Sequence, residues 1–234
     1  MPSAPDAHDP RAAVVQAAGL RRCYPAPRGD VVALDDVSMS ATAGTLTVVA
    51  GASGSGKSTL LMVIGAVDRP DAGSVDVAGA PLTAMSRRAR RAWRRDRLGV
   101  VLAQPADNLT DRHDAVGNVV WAASLRTAST LDRARAMTFL DELGIADVAT
   151  AGRRELSGGQ QQRLAFACAV VGDPVLVVAD EPTASLDAAS ADLVATFVRR
   201  LADRGTTLIV ASHDERFVAV ADAVVRLDHG RRVA

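Results

Sequence analysis

Apolar residues in this chain fall into short runs that alternate with longer stretches of helical periodicity. Five runs rich in Val, Ile and Leu are typical of strands: "TLTVVA" at 45–50, "LGVV" at 98–101, "VLVVA" at 175–179, "TLIVA" at 207–211 and "AVVRL" at 223–227. Runs between helices that are apolar on both faces are typical of a buried parallel sheet. The pattern therefore predicts an α/β fold around a mostly parallel sheet.

Residues 111–155 follow a different pattern. The stretches "AVGNVVWAASLR" and "LDRARAMTFLDELG" have helical periodicity, and no strand-like run separates them. We interpret this part as a helical subdomain inserted into the sheet domain, at about 105–172. The stretch "RRARRAWRRDR" at 87–97 predicts a further amphipathic helix with an arginine face.

Composition narrows the class of protein. The chain has 234 residues, 48% of them hydrophobic and 23% charged, as in a globular protein. Lys+Arg and Asp+Glu are both 27, so the net charge of +0 gives no general indication of a nucleic-acid partner. Cys23 and Cys168 lack metal-ligand spacing, which suits a reduced cytosol. No run reaches the about 18 apolar residues of a membrane span, and no signal pattern is present.

The ends of the chain differ in character. Residues 1–13, "MPSAPDAHDPRAA", are rich in Pro, Ala and Asp and have no periodicity, so we predict a disordered extension. Residues 14–234 are predicted to form a single domain that includes the helical insertion.

The stretch "GASGSGKSTL" at 51–60 contains Lys57, the only lysine of the chain. It matches G-x-x-x-x-G-K-[ST] directly after a predicted strand and before a predicted helix, which is the context of a phosphate-binding loop. A compact ammonium reaches between phosphates in a way that a planar guanidinium does not. The alternative, a structural Gly/Ser-rich turn, is disfavoured by strand, loop and helix together. The predicted nucleotide-binding residues here are Gly51, Ala52, Ser53, Gly54, Ser55, Gly56, Lys57, Ser58 and Thr59.

Two carboxylates follow a later predicted strand, in "VLVVADEPTASLD". Asp180 would lie at the carboxyl edge of the sheet beside the phosphate loop, where it could hold Mg²⁺ together with Ser58. Glu181 is then placed to act as a general base on a water that attacks the γ-phosphate. Taken alone, the Asp-Glu pair could equally belong to a solvated turn. The phosphate loop at Lys57 makes that alternative much less favoured.

These motifs, together with "ELSGGQQQRLAFA" at 155–167, resemble the ATP-binding-cassette (ABC) ATPase family, whose signature is LSGGQ. The resemblance covers about residues 14–232. It implies a P-loop NTPase fold of the RecA-like kind, with an antiparallel N-terminal β subdomain and an inserted helical subdomain, and the cofactors ATP and Mg²⁺. It also implies that Ser157, Gly158, Gly159 and Gln160 bind the ATP held by the Lys57 of a second subunit.

Further positions carry over from the family. Tyr24 resembles the aromatic residue that stacks on adenine, although a lone aromatic residue is more often core. His213, after the predicted strand at 207–211, resembles the switch histidine that contacts the γ-phosphate and orients the water. Ser185, Leu186 and Asp187 match the segment that communicates across the dimer.

Two positions depart from the family. In "LGVVLAQPADNL" a gapless match puts Ala103 where relatives have the glutamine that contacts Mg²⁺ and water, with Gln104 next. Either the loop is shifted by one residue and Gln104 serves, which we favour, or the contact is lost. Cys168 stands where relatives usually have arginine, so a contact between motifs is predicted to be missing.

The resemblance is greatest to the macrolide-export and lipoprotein-release group, which includes a cell-division member. It implies a cytoplasmic ATPase subunit, peripheral on the inner face of the membrane, that dimerises on binding ATP with an identical or a second ATPase. Each closure and reopening of the dimer would be transmitted through residues near 104–120 to an integral membrane permease. The alternatives are a regulatory or mechanotransmission role, as in cell division, and a soluble ABC ATPase. The arginine helix at 87–97 is most simply solvated, with anionic headgroups or the permease as other contacts, and no nucleic-acid partner is expected.

Overall fold

The computed structural model describes residues 13–27, 29–126 and 131–233. Ala13, assigned to the extension, is the first residue of a strand, while residues 1–12 lie outside the described part. The strands are β1 (Ala13–Tyr24), β2 (Val31–Thr42), β3 (Leu46–Ala50), β4 (Ala72–Val77), β5 (Ala80–Pro81), β6 (Leu98–Val101), β7 (Leu176–Asp180), β8 (Leu208–Ser212), β9 (Ala223–Asp228) and β10 (Arg231–Val233).

The helices include those that the sequence predicts after the phosphate loop, at 87–97 and within 111–155. They are α1 (Lys57–Ile64), α2 (Arg87–Arg97), α3 (Ala115–Ser124), α4 (Arg133–Glu142), α5 (Gly158–Val170), α6 (Ala188–Asp203) and α7 (Glu215–Val220). Short 3-10 turns lie at Pro105–Asn108, Ala146–Val148 and Arg153–Glu155. No described helix combines the length and the apolar character needed to cross a bilayer.

Two sheets organise the chain. The larger has the order β10-β9-β3-β8-β7-β6, and it is parallel from β9 to β6, with β10 antiparallel at its edge. The smaller is antiparallel, with the order β2-β1-β4-β5. The five predicted strands all belong to the larger sheet, which confirms the predicted mostly parallel core.

The side chains of β3 divide the interior into two cores. Val48 points into one core, which the helices α3 to α6 cover, and Val49 points into the other. The second core lies around α1 and the antiparallel sheet, with Leu60 and Ile64 fully buried there. Because α1 is packed between the two sheets, the residue that begins it is fixed at the carboxyl edge of the parallel sheet.

Candidate active site

The phosphate loop connects β3 to α1, as predicted. Its backbone turns on itself, since the amide of Ser55 donates to the carbonyl of Ala52 at 3.2 Å. Gly56, which precedes α1, has a left-handed φ of 102°. A Cβ there would lie 2.3 Å from the carbonyl oxygen of Ala33 on β2. Only glycine therefore satisfies both the conformation and the space at this position.

Lys57 begins α1, and its side chain folds back against the loop. Its Nζ donates to the carbonyl oxygens of Gly51 at 2.8 Å and Ala52 at 2.9 Å. The residue is only 5% exposed. The hydrogen bonds to the loop carbonyls hold this nearly buried ammonium at the place where the phosphates of a nucleotide would bind.

Glu181 lies between Lys57 and the end of β8. Its Oε1 is 3.2 Å from Lys57 Nζ, and its Oε2 is 3.0 Å from His213 Nδ1. The hydroxyl of Ser212 also donates to Oε2, at 3.3 Å. Glu181 has φ of 44°, a left-handed conformation that non-glycine residues seldom adopt. Strained backbone of this kind is concentrated at functional sites.

Asp180, the last residue of β7, provides the second carboxylate. Burial raises the pKa of Asp180, and the neighbouring charge of Glu181 raises it further, while a hydrogen bond from Ser58 and the charge of Lys57 lower it. Its Oδ1 is buried and has no hydrogen-bond partner in the described part of the chain. A buried carboxylate oxygen with an unused acceptor site, beside a hydroxyl, fits a hard divalent cation.

The donor set at Asp180 is compatible with Mg²⁺. Among the described residues, no group of three or more His, Cys, Asp or Glu side chains could hold a metal ion. Mg²⁺ is usually bound by one or two protein ligands together with water and substrate phosphates. The pair Ser58 and Asp180 therefore fits Mg²⁺ that arrives with a nucleotide.

The signature residues form the start of α5. Ser157 and Gln160 cap this helix reciprocally, because each side chain accepts a hydrogen bond from the backbone amide of the other. A Cβ at Gly158 would lie 2.9 Å from Leu186 Cδ2, and one at Gly159 would lie 2.9 Å from Ser190 Cβ. No hydrogen bond or ion pair in the described part of the chain joins residues 157–160 to the phosphate loop of the same chain.

Neither candidate for the glutamine position forms a hydrogen bond to Glu181, whose side-chain partners among the described residues are Lys57, Ser212 and His213. Strand β6 keeps a regular parallel register with β7 to its last pair, Val101 and Ala179. Beyond it Ala103 is half-buried and Gln104 is exposed. Within the described residues, no hydrogen bond is formed by the Gln104 side chain. The choice between Ala103 and Gln104 therefore stays a prediction.

Sequence reasoning missed the residue that shapes this loop. The amide nitrogen of Asn108 donates to the carbonyl oxygens of Leu102 and Gln104, both at 3.0 Å, and its Oδ1 accepts from the amide of Leu102 at 2.7 Å. The pattern of hydrophobicity carries no signal for such a contact. The available signal was an Asn in a stretch that also contains Pro and Asp, because Asn side chains commonly hydrogen-bond the backbone in turns.

Two other contacts near the site were also missed. Ser212, at the end of β8, donates a hydrogen bond to Glu181. The available signal was its position, because β8 runs parallel to β7 and ends at the same edge of the sheet. Thr183 donates to Oδ2 of Asp214 at 2.9 Å. This bond ties the segment after Glu181 to the residue after His213.

Tyr24 ends β1, the strand beside β2. Its hydroxyl donates to Asp68 Oδ2 at 2.8 Å. The guanidinium carbon of Arg22 lies 4.6 Å from the centroid of its ring. The side chain is therefore fixed by two polar neighbours rather than buried in a core.

The second departure, Cys168, lies on α5. Burial raises the pKa of its thiol to about 12. It lines a groove together with Arg126, whose Nη2 donates to the carbonyl oxygens of Leu98 at 3.3 Å and Ala169 at 3.1 Å. A guanidinium from the end of α3 thus joins β6 to α5 beside the cysteine.

A glycine-rich loop follows β3 and has its lysine at a helix start, and two carboxylates end and follow β7, which is separated from β3 by β8 in the same parallel sheet. This arrangement defines a P-loop nucleoside triphosphatase. The sequence profile described as "ABC transporter" matches residues 34–184. The chain is 37% identical over 224 residues to the macrolide export ATP-binding/permease protein MacB 1/2 of Paracoccus denitrificans, covering 95% of this chain and 33% of that protein. It is also 37% identical to MacB of Burkholderia pseudomallei strain 1710b, covering 94% and 34%.

Solved structures agree with the sequence relatives. The ATP-binding cassette MJ0796, described as a dimer in a post-hydrolysis state bound to ADP and Pi, is similar with a TM-score of 0.82 and 28% identity, covering 94% of this chain and 97% of that one. The protein cbiO1 of Clostridium perfringens, described as part of the transporter complex cbiONQ, gives 0.82 and 25%, covering 95% and 87%.

The chain belongs to the ABC transporter family. This confirms the predicted family, the predicted similarity to macrolide-export proteins, the P-loop fold and the ATPase class. The chain spans about a third of the length of the curated relatives it matches.

Proposed function

We propose that this chain is the ATP-hydrolysing subunit of a transporter and drives a membrane permease through ATP-dependent closure of a dimer. The observation that carries the proposal is the position of Glu181, whose carboxylate lies between Lys57 and His213 at the carboxyl edge of the sheet. The relatives that are named as ATP-binding/permease proteins support the transport part.

The arrangement gives each residue of the site a chemical task. Glu181 is the general base that takes a proton from the attacking water, and His213 orients that water. Lys57 stabilises the negative charge of the phosphates during transfer. Ser58 and Asp180 would hold Mg²⁺, which when bound supplies positive charge to the phosphate oxygens. Gln104 is proposed as a further contact to the ion and the water.

The ion pair between Lys57 and Glu181 gives the site an order of events. A triphosphate attracts the ammonium more strongly than one carboxylate does, because it carries more charge. When Lys57 turns to the phosphates, Oε1 of Glu181 loses its partner and becomes available to the water. Binding of ATP thus prepares the base.

A dimer completes each site in this proposal. The exposed residues Ser157 and Gly158 at the start of α5 are a second anion-binding helix N-terminus, separate from the one at Lys57. Two chains arranged head to tail would sandwich two nucleotides between Lys57 of one and Ser157 of the other. The similar cassette MJ0796 is described as dimeric. The second subunit is an identical chain or another ABC ATPase.

An apolar surface near the predicted coupling segment offers a place for the permease. Four apolar side chains there are 44% to 51% exposed: Val100, Leu102, Trp121 and Leu125. Three of them, all except Leu102, line a groove of about 320 Å³, together with Arg95 and Arg126. A permease segment with apolar and acidic side chains would match this surface and keep the chain at the inner face of the membrane.

The test is reconstitution of the chain with a candidate membrane permease. We expect slow Mg²⁺-dependent ATP hydrolysis by the chain alone and faster hydrolysis with the permease in a lipid bilayer. Hydrolysis that is unchanged by any membrane partner would contradict the transport proposal and favour a soluble ABC ATPase.

A further inference from the structure

Four side chains around the end of β1 form one connected network: Arg22, Tyr24, Asp68 and Asp71. Arg22 binds Asp68 in a bidentate manner, with Nε 2.8 Å from Oδ2 and Nη2 3.0 Å from Oδ1. Its Nη1 donates to Asp71 Oδ1 at 2.8 Å. Because the guanidinium uses three nitrogens on two carboxylates, its plane is fixed.

Arg22 also covers one face of Tyr24. Its guanidinium carbon is 4.6 Å from the ring centroid, within the distance of a cation–π contact. The phenol hydroxyl donates to Asp68 Oδ2, the same oxygen that receives Arg22 Nε. Asp68 therefore fixes both the cation on one face of the ring and the edge of the ring itself.

The ring lies in the part of the antiparallel sheet that meets the phosphate loop. Tyr24 pairs with Val31 and Cys23 with Val32 on β2. The next residue, Ala33, approaches Gly56 so closely that a Cβ on Gly56 would be 2.3 Å from its carbonyl oxygen. Val31, directly opposite Tyr24 on the same face of the sheet, is 55% exposed, so an apolar side chain lies beside the tyrosine.

We propose that Asp68 is a positioning residue for the nucleobase: through the Tyr24 hydroxyl and Arg22 it holds the ring as a one-sided stacking surface. Since Arg22 occupies one face, a flat aromatic ligand stacks only on the other. This inference rests on the proposed function, because it concerns the base of the same nucleotide. Asp68 touches no ligand itself and acts through the orientation of the ring.

The network also connects the two ends of the nucleotide. Asp68 follows the C-terminal end of α1, and its amide donates to the carbonyl of Met62 within that helix at 3.1 Å. Lys57 begins the same helix. The stacking surface and the phosphate lysine are therefore fixed to one rigid element, so that base and phosphates are presented at a set separation.

The experiment compares ATP with inorganic tripolyphosphate, which has phosphates but no base, by calorimetric titration of the full chain with Mg²⁺. For Tyr24→Phe and for Asp68→Ala we expect the Kd for ATP to rise about 2–10-fold, the range for one hydrogen bond. The variant that carries both substitutions should bind ATP no more weakly than the weaker-binding of the two single variants. The Kd for tripolyphosphate should stay at the wild-type value, because this ligand has no base. Tyr24→Ala should raise the Kd for ATP by about 5–150-fold, the range for base–aromatic stacking.

The matched control is Asp76→Ala. It removes a carboxylate of the same antiparallel sheet whose one side-chain hydrogen bond, among the described residues, is to the Gly79 amide. It should bind both ligands as wild type does. Should Asp68→Ala fail to fold, Tyr24→Phe decides, since it leaves the pair of Arg22 and Asp68 intact. Unchanged ATP affinity in Tyr24→Phe, or an equal loss for tripolyphosphate, would overturn the inference. A wild-type chain that binds neither ligand would instead overturn the proposed function, and this inference with it.

Discussion

The ammonium of Lys57 lies 3.2 Å from Oε1 of Glu181, so the only lysine of the chain is paired with the proposed general base. The two residues are 124 positions apart in the sequence and meet because α1 begins and β7 ends at the same edge of the sheet. The pair is 5% and 20% exposed, so solvent screens it little. Nucleotide binding must exchange this contact for one with phosphate.

A first prediction separates the charge of Lys57 from its shape. Lys57→Arg keeps the positive charge but places a planar guanidinium where Nζ now fits between the carbonyls of Gly51 and Ala52. We expect most of the ATPase activity to be lost. Steady-state hydrolysis at the wild-type rate would mean that the lysine is an accident of composition.

A second prediction concerns Asp180. Its pKa is raised, mainly by burial, so the folded state binds a proton more tightly than the unfolded state. Such a carboxylate lowers stability at neutral pH, and the loss disappears as pH falls below the unfolded value of about 3.9. Asp180→Asn should therefore raise the melting temperature of the nucleotide-free chain at pH 7, by about 2–4 °C for each kcal/mol gained.

The same substitution should act in the opposite direction when Mg²⁺ and ATP are present. The amide binds the cation less well than the carboxylate, so the stabilisation by Mg²⁺ and ATP should fall. Asp141→Asn, at an exposed position of α4, is the matched control and should change neither quantity. Thermal melting with and without Mg²⁺ and ATP measures both effects. Equal melting temperatures for Asp180→Asn and wild type under all conditions would remove Asp180 from the site.

A third prediction addresses the glutamine loop. If Gln104 faces the nucleotide after a shift of the loop, Gln104→Ala should reduce hydrolysis well beyond any loss of ATP affinity, and Ala103→Gln should gain little. If the contact is absent, Gln104→Ala should be nearly silent and Ala103→Gln should raise the ATPase rate. Hydrolysis by the two variants with the membrane partner present distinguishes these results, and a silent Gln104→Ala excludes that residue.

A fourth prediction tests the apolar surface beside this loop. Trp121→Glu puts a charge into a surface proposed to be covered by the permease, so it should abolish most of the stimulation by the permease and leave the ATPase rate of the isolated chain intact. Leu193→Glu, at a 56% exposed apolar position of α6, is the control. Loss of stimulation in both variants, or in neither, would argue against this surface.

Most of the fold could be predicted from the sequence because both periodicities are pronounced. The β-branched runs that precede the phosphate loop and Asp180 are apolar on both faces, which is typical of a buried parallel sheet. The stretch with Trp93 among arginines forms α2 as its spacing indicates. The motifs at Lys57 and at Asp180 could be placed together because parallel strands share a carboxyl edge.

The remaining parts depend on contacts that periodicity does not encode. The bonds of Asn108 to the backbone of Leu102 and Gln104 arise from the path of a loop. The bond from Tyr24 to Asp68 joins residues 44 positions apart and depends on how β1 meets the end of α1. The left-handed backbone of Glu181 is a local conformation that the tertiary structure imposes.

The most direct measurement of the central claim is ATP hydrolysis and size of the Glu181→Gln variant. An amide cannot accept the proton, so hydrolysis should fall roughly 10²–10⁴-fold while ATP still binds, and uncleaved ATP with Mg²⁺ should hold two chains together in solution. Glu142→Gln, the same change at an exposed residue paired with Arg204, should behave as wild type. A Glu181→Gln variant that stays monomeric with ATP and hydrolyses it at the wild-type rate would contradict the account.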